Sequence, residues 1–299
     1  MNNTGLRVPR RTFLKTAMTA ATGAALGVEA TAAIKTHPSS GMLIDVNVNL
    51  SRWPLRRVPY DNTQALVSML HAHGVGQAWA GSFDALLHKD IASVNARLAD
   101  ECRRHGRGLL AAFGSIDPKS PDWEADLRRC SEEHRMPGIR LYPNYHGYKL
   151  DDPTFVRLLK LAADRGLIVQ IALLMEDERM MHPLLRTEPV DTTPLASVVK
   201  QTPGLRLVLL NALGKLFGQP LVDVVAAGEI YVEISMLESV GGLANLLSKV
   251  PMNRVLFGSY APLFYFESAL LKLKESALSR EQLRAIRSEN ANRVMEKRF

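Results

Sequence analysis

The sequence predicts a single-domain α/β protein, a (β/α)8 TIM barrel, on three observations. Beyond Pro38-Ser39-Ser40-Gly41, short apolar runs alternate with amphipathic stretches, and the alternation completes eight times with little chain left over. No Pro-, Gly- or Ser-rich linker divides the chain into balanced halves. No GxGxxG turn follows the first strand, which removes the dinucleotide fingerprint of the alternative architecture, an open doubly wound sheet.

In chain order, residues 1–33 stand apart. Arg10-Arg11-Thr12-Phe13-Leu14-Lys15 precedes a weakly apolar run of Ala, Thr and Gly, and Val28 to Ala33 offers small residues for cleavage. That order resembles a twin-arginine export signal, which predicts a periplasmic or secreted protein delivered by the export machinery; a frayed amphipathic N-terminus is the other reading. Glu29 and the many Ala and Thr residues make this stretch a poor permanent span. No other segment approaches eighteen apolar residues in a row, so no membrane span is expected in the mature chain.

The barrel occupies residues 34–299. Leu43 to Asn49 reads as the first strand and 62–73 as the first helix. Val75 to Gly81, ending in Ser82, is the second strand, followed by helix 89–105. Strand Gly108 to Ser115 leads to helix 121–135, strand Gly138 to Tyr142 to helix 153–165, and strand Leu167 to Leu173 to a long excursion before helix 194–201. Leu205 to Leu210, helix 217–227, Ile230 to Ser235, helix 240–248 and Val255 to Ser259 complete eight strands. A helical tail from Glu267 onward covers the last face.

With 299 residues and 46% hydrophobic content, the chain is long enough for a sizeable core. An aromatic content of 6% argues against a carbohydrate surface built from rings. The net charge of +7 owes much to Arg7, Arg10, Arg11 and Lys15; the rest holds 33 basic and 29 acidic residues, a balance that predicts no nucleic-acid partner. Arg103, Arg104 and Arg107 read as a solvated helix face. Cys102 and Cys130 lack the density of a disulfide scaffold; two inert, partly buried thiols are expected, with a bridge between neighbouring helices as the alternative.

In such a barrel, functional groups gather at the carboxyl ends of the strands. Strand side chains alternate, so Asp45, Asn47 and Asn49 share a face, as do Arg140, Tyr142 and Asn144. Gln170, Glu233 and Ser235 lie on strands five and seven. A carboxylate inside a barrel needs a partner, and Arg140 is expected to donate two parallel hydrogen bonds to Asp45 or Glu233. Beyond strand five, Met175-Glu176-Asp177-Glu178-Arg179-Met180-Met181-His182 forms a long loop of the kind that closes over ligands. Glu176, His182, His146 and Glu233 are the candidates for proton transfer. Asn47, Asn49, Arg56, Arg140, Tyr142, Asn144, Gln170 and Asn211 are the candidates for substrate binding. Each has a structural alternative: a braced interior charge, a capping histidine, a salt-bridged loop.

Four of these segments resemble the amidohydrolase-related branch of the amidohydrolase superfamily: Ile44-Asp45-Val46-Asn47-Val48-Asn49, Gly138 to Pro143, Val208 to Gly214 and Val255 to Pro262. The resemblance implies metal-dependent hydrolase or decarboxylase chemistry on a (β/α)8 barrel. It also implies metal ligands at places that here hold Asn47, Asn49, Ala172, Ala212 beside Asn211, and Tyr260. Amides bind borderline metals weakly and alanine offers no ligand atom, so no metal and no cofactor is expected at those places. The sequence therefore predicts a metal-independent hydrolase or lyase acting on a small oxygen-rich or carboxylated molecule. Two alternatives stay open: a catalytically silent barrel that binds a small solute, and a hydrolase with ligands relocated to His146, Glu176 and His182. Homo-oligomerisation is compatible with the helix surfaces, but no seam stands out. Gly81-Ser82-Phe83 is not a nucleophile elbow, and no Walker, HExxH or EF-hand pattern occurs.

Overall fold

The structure, a computed structural model, describes residues 42–296; the export signal read over residues 1–33 lies outside the described residues. Parallel strands follow one another around the sheet in chain order: β1 (Leu43–Leu50), β2 (Val75–Ser82), β3 (Leu110–Ser115), β4 (Gly138–Leu141), β5 (Ile168–Ala172), β6 (Arg206–Leu210), β7 (Glu229–Glu233) and β8 (Val255–Leu256). Helices α1 (Thr63–Ala72), α2 (Ile91–His105), α3 (Trp123–Glu132), α4 (Pro143–His146), α5 (Pro153–Asp164), α6 (Leu195–Lys200), α7 (Gly218–Ala226), α8 (Gly242–Leu247) and α9 (Phe266–Glu275) alternate with them. A tail of α10 (Arg280–Arg284), a π-helical turn at Ala285–Glu289 and α11 (Asn290–Met295) completes the chain. Among the described residues, no helix is long and apolar enough to cross a membrane.

The helices form because their apolar residues recur at helical spacing and their starts are capped. On α5, Phe155, Leu158, Leu159 and Ala162 line one face and are fully buried; each such side chain of Leu or Phe size stabilises the fold by roughly 1.5–3 kcal/mol. Asn62 and Asp90 accept hydrogen bonds from the N–H groups of Ala65 and Ser93, capping α1 and α2, and Ser279 with Gln282 forms a capping box at α10. Arg103 and Arg104 pair with Asp100 on the exposed face of α2, a solvated helix surface. Cys102 and Cys130 are free and buried, and burial pushes both thiols up to about 12, so neither is a thiolate at neutral pH.

Two local predictions differ from what is found. The segment after β4, expected as an open loop, makes a helical turn, because Pro143 suits the first helical position and Gly147, at φ +66°, ends it in the left-handed region. The eighth strand pairs with β7 only over Val255 and Leu256. Past Leu256 the chain turns to β1 instead and closes the barrel. Val46 N–H donates to the Phe257 carbonyl at 3.0 Å, Tyr260 N–H to the Asn47 carbonyl at 2.8 Å, and Asn49 N–H to the Ala261 carbonyl at 2.9 Å.

Candidate functional site

Three polar clusters fill the barrel interior below the mouth. The first belongs to Asp45 on β1. One carboxylate oxygen accepts from the N–H groups of Asn47 and Ser259, both at 3.0 Å, and the other from the Ser259 hydroxyl. Asp45 is wholly buried, and that desolvation pushes its carboxyl from 3.8 up to about 7; the Ser259 and Asn47 hydrogen bonds oppose the shift, and the nearby Glu233 adds to it.

The second cluster surrounds Arg140 on β4, where the expected pairing with a carboxylate is not found. Its guanidinium donates to the Val48 carbonyl and Asn49 Oδ1 at 2.8 Å each, the Trp79 carbonyl at 2.9 Å, Gln170 Oε1 at 2.8 Å and the Val46 carbonyl at 3.4 Å. The reason lies in β1. Its register against β2 shifts between Asp45 and Val48, and the carbonyls of Val46 and Val48 turn inward, where a guanidinium with five donors satisfies them. Gln170 completes the brace by donating to the Val46 carbonyl at 2.8 Å. Gly81 is required beside it, because a Cβ there would lie 2.7 Å from Arg140 Cδ.

The third cluster centres on Glu233 at the end of β7. Its carboxylate accepts from Asn211 N–H at 2.6 Å, Asn47 Nδ2 at 3.2 Å, the Ser235 hydroxyl at 2.7 Å and Ser235 N–H at 2.6 Å. Asn47 also donates to Asn211 Oδ1 at 2.8 Å. Asn211 stands in the left-handed region at φ +56°, a conformation that asparagine tolerates, and this aims its N–H at the carboxylate. Gly258 makes the approach feasible, because a Cβ there would lie 2.4 Å from Glu233 Oε2.

Above these clusters the segment from Leu173 to Pro194 folds across the mouth and is tied down on several sides. Glu176, 3% exposed, forms an ion pair with Arg56 of the loop after β1. The Tyr260 hydroxyl, from beyond β8, donates to the Met175 carbonyl at 2.8 Å, Asn211 Nδ2 to the Leu174 carbonyl at 2.8 Å, and Asn144 Nδ2 to Thr187 Oγ1 at 3.2 Å. Leu174, Met175 and Met181 are buried in one apolar cluster with Trp53, Phe83, Tyr142 and Tyr260. Burial pushes the phenols of Tyr142 and Tyr260 upward, so both stay neutral.

The candidate residues are thus only partly brought together. Asn47, Asn211 and Glu233 form one network; Asn49, Arg140 and Gln170 form another; Arg56 and Glu176 form a latch. His146 lies apart, with Nε2 2.8 Å from the Ala85 carbonyl, so that this nitrogen carries the proton. His182 is exposed and accepts the Leu184 N–H at Nδ1, capping the turn Pro183–Leu185. Asn47 Oδ1, Asn49 Nδ2, the Tyr142 hydroxyl and His146 Nδ1 are buried atoms without a hydrogen-bond partner. Among the described residues, no group of three or more His, Cys, Asp or Glu stands close enough to hold a metal ion.

Beside the latched segment, over the ends of β5 to β8, opens a cavity of about 580 Å³. Leu174, Met236, Leu237 and Phe264 give it apolar walls; Ser235, Ser268 and Lys272 supply its inner polar wall. Sequence reasoning missed Lys272, which was expected only as part of a covering helix; its spacing of four from Ser268 is a signal, but which face of α9 turns inward depends on the packed barrel. It also missed Ser259, whose link to Asp45 spans most of the chain.

The family model described as Amidohydrolase matches residues 44–296. No curated protein matches the chain. Among solved structures, the apo IDCase of Metarhizium anisopliae superposes with a TM-score of 0.65 at 18% identity, covering 87% of this chain and 99% of that one. The 2,6-dihydroxybenzoate decarboxylase of Rhizobium gives 0.64 at 14% identity, over 85% and 98% of the two chains. The 5-carboxyvanillate decarboxylase of Novosphingobium aromaticivorans, complexed with manganese and 4-hydroxy-3-methoxy-5-nitrobenzoic acid, gives 0.68 at 12% identity, over 87% and 98%. At these identities the likeness is one of fold.

Proposed function

The chain belongs to the amidohydrolase family, and from that premise we propose that it binds a small oxygen-rich or carboxylated molecule without a resident metal and without turning it over. The observation that carries this reading is that three of the four candidates for proton transfer are committed elsewhere and the fourth, His146, does not line the cavity. Glu176 is held by Arg56, Glu233 takes four donors, His182 caps its own turn away from the interior, and His146 donates from Nε2 to the Ala85 carbonyl and keeps its free Nδ1 lone pair buried outside the cavity lining. A general acid or base needs a free lone pair or proton within reach of the substrate.

A divalent cation does not fit the places that the family resemblance assigns to ligands. Asn49 Oδ1 accepts from Arg140, Asn211 Oδ1 from Asn47 and Ser235, Tyr260 is a neutral phenol spent on the Met175 carbonyl, and Ala172 and Ala212 have no donor atom, which leaves Asn47 Oδ1, a neutral amide oxygen, as the free atom among them. The binding site in this reading is the 580 Å³ cavity, a volume within the range of small-molecule pockets. The leader Arg10-Arg11-Thr12-Phe13-Leu14-Lys15 adds export to the proposal, and replacing both arginines by lysine is expected to leave the protein in the cytoplasm on cell fractionation.

The test is a panel of small carboxylates, lactones and polyols, followed for binding by thermal shift and for conversion by NMR, with elemental analysis of protein purified without chelator. Binding without conversion and without stoichiometric metal is expected. Conversion that is lost in Glu176→Gln sinks the binding reading in favour of the second one, a metal-independent hydrolase or lyase. That second reading is favoured by Asn47 Oδ1, Asn49 Nδ2 and the Tyr142 hydroxyl, buried polar atoms left without partners on and just after the strands.

A further inference from the structure

Lys272 is the one cation lining the cavity, among the described residues, that has no carboxylate within ion-pair distance. The other two are tied: Arg179 to Asp177 and Lys215 to Glu178. The Lys272 side chain leaves α9 one turn after Ser268, on the same side of the helix, and its Nζ donates to the Ser235 carbonyl at the cavity wall. That bond fixes the amine. One N–H is spent on Ser235, and the remaining valences of nitrogen are available to whatever occupies the space between Leu174, Met236, Leu237 and Phe264.

We infer that Lys272 captures a small aldehyde or ketone in this cavity as an imine. The neutral amine adds its lone pair to the carbonyl carbon, and the N–C bond forms as the C=O π pair moves to oxygen. The carbinolamine then loses water, its oxygen leaving with the proton taken from nitrogen. Hydrolysis reverses both steps, so capture needs no oxidant, reductant or metal. The fraction of neutral amine is raised because burial lowers the Lys272 pKa below its ordinary value; Glu233, Glu238 and Glu275 act in the opposite sense, and the Asp177, Glu178, Arg179 and Lys215 pairs cancel among themselves at the rim. Apolar walls suit the body of an aryl or alkyl carbonyl compound. The inference rests on the cavity being the ligand site, as in the reading above, and adds covalent capture to it.

The experiment treats the whole protein at pH 7 with benzaldehyde and sodium cyanoborohydride, which reduces an imine to a stable secondary amine, and maps the modified lysines by peptide mass spectrometry. Exposed Lys160 and Lys249 serve as internal references. Lys272 is expected to react faster than either, because burial leaves more of its amine unprotonated, and its pH profile is expected to inflect below theirs. Lys272→Arg, which keeps the charge and a donor for Ser235, is expected to abolish the fast site while leaving circular dichroism unchanged. Labelling of Lys272 no faster than Lys160 and Lys249 overturns the inference. If benzaldehyde without reductant still shifts the melting temperature in that case, the cavity binds and only covalent capture fails. If it shifts nothing, the cavity reading fails with it.

Discussion

Replacing Asp45 by Asn tests the electrostatics of the barrel seam. The wild-type carboxyl rises from 3.8 to about 7 in the folded state because it is fully buried. Below pH 3.8 it is protonated in both folded and unfolded chains and the fold has lost nothing. Between those two values the unfolded chain releases a proton that the folded chain retains, so stability falls as pH rises, and the loss is complete once the folded pKa is passed. At about 1.4 kcal/mol for each tenfold change in proton affinity, the whole span amounts to ~4 kcal/mol. Asparagine has the same shape as the protonated acid. Its Oδ1 accepts the Asn47 and Ser259 N–H groups, and its amide donates to the Ser259 hydroxyl oxygen, which also accepts from Ala261 N–H. Urea unfolding of wild type and Asp45→Asn at several pH values between 3.5 and 8 gives the difference between them. That difference is expected to move in favour of the variant by about 3–4 kcal/mol across the range. Two stability curves that stay parallel within about 1 kcal/mol would falsify the assignment of a neutral, buried Asp45 below pH 7.

Other perturbations probe the remaining clusters. Arg140→Lys leaves the inward carbonyls of Val46, Val48 and Trp79 short of donors and is expected to cost about 3–5 kcal/mol in chemical denaturation, far more than a conservative surface exchange. Gly258→Ala drives a methyl group into Glu233 and is expected to lower stability by about 1–3 kcal/mol, with Asp45→Asn failing to rescue it. Arg56→Ala removes the latch on Glu176; because the Arg56 side chain is 40% exposed, its thermodynamic effect is expected to stay under about 1 kcal/mol. Limited proteolysis between Leu173 and Pro194 is nevertheless expected to quicken, and an unchanged cleavage rate would mean that Tyr260 and Asn144 hold the segment without it.

The fold was legible because its signals are local. Apolar runs and helical spacing place all eight strands, and the interior parity of Asn47, Arg140, Gln170 and Glu233 follows from alternation along a strand. Partnership was not legible. Arg140 was expected to seek a carboxylate, the strongest partner in its neighbourhood by chemistry; what claimed it was a set of backbone carbonyls exposed by a register shift in β1, and side-chain patterns do not reveal register shifts. The same holds for Asp45 and Ser259, which meet only because the barrel closes, and for Lys272, whose direction is set by the packing of α9. His182 and Glu176 looked alike in sequence, two ionisable groups in one loop, yet one caps a turn in solvent and the other is buried against Arg56. Six residues of chain separate these outcomes.

The way the barrel closes has a bearing on how it is made. β1 precedes the other described strands in the chain, and the residues that cover its outer edge, Phe257 to Ala261, follow all of them. Without that segment, β1 has one row of peptide groups unpaired, an edge open to any second chain with a similar edge. Asp45 sits just before that row. In an unfinished chain at neutral pH it is a hydrated anion, and a stranger that zipped onto β1 would have to bury it without the Ser259 hydroxyl that receives it in the finished barrel. The residue that weakens the completed molecule at neutral pH is thus one that any other partner of β1 would bury at greater cost than the C-terminal segment does.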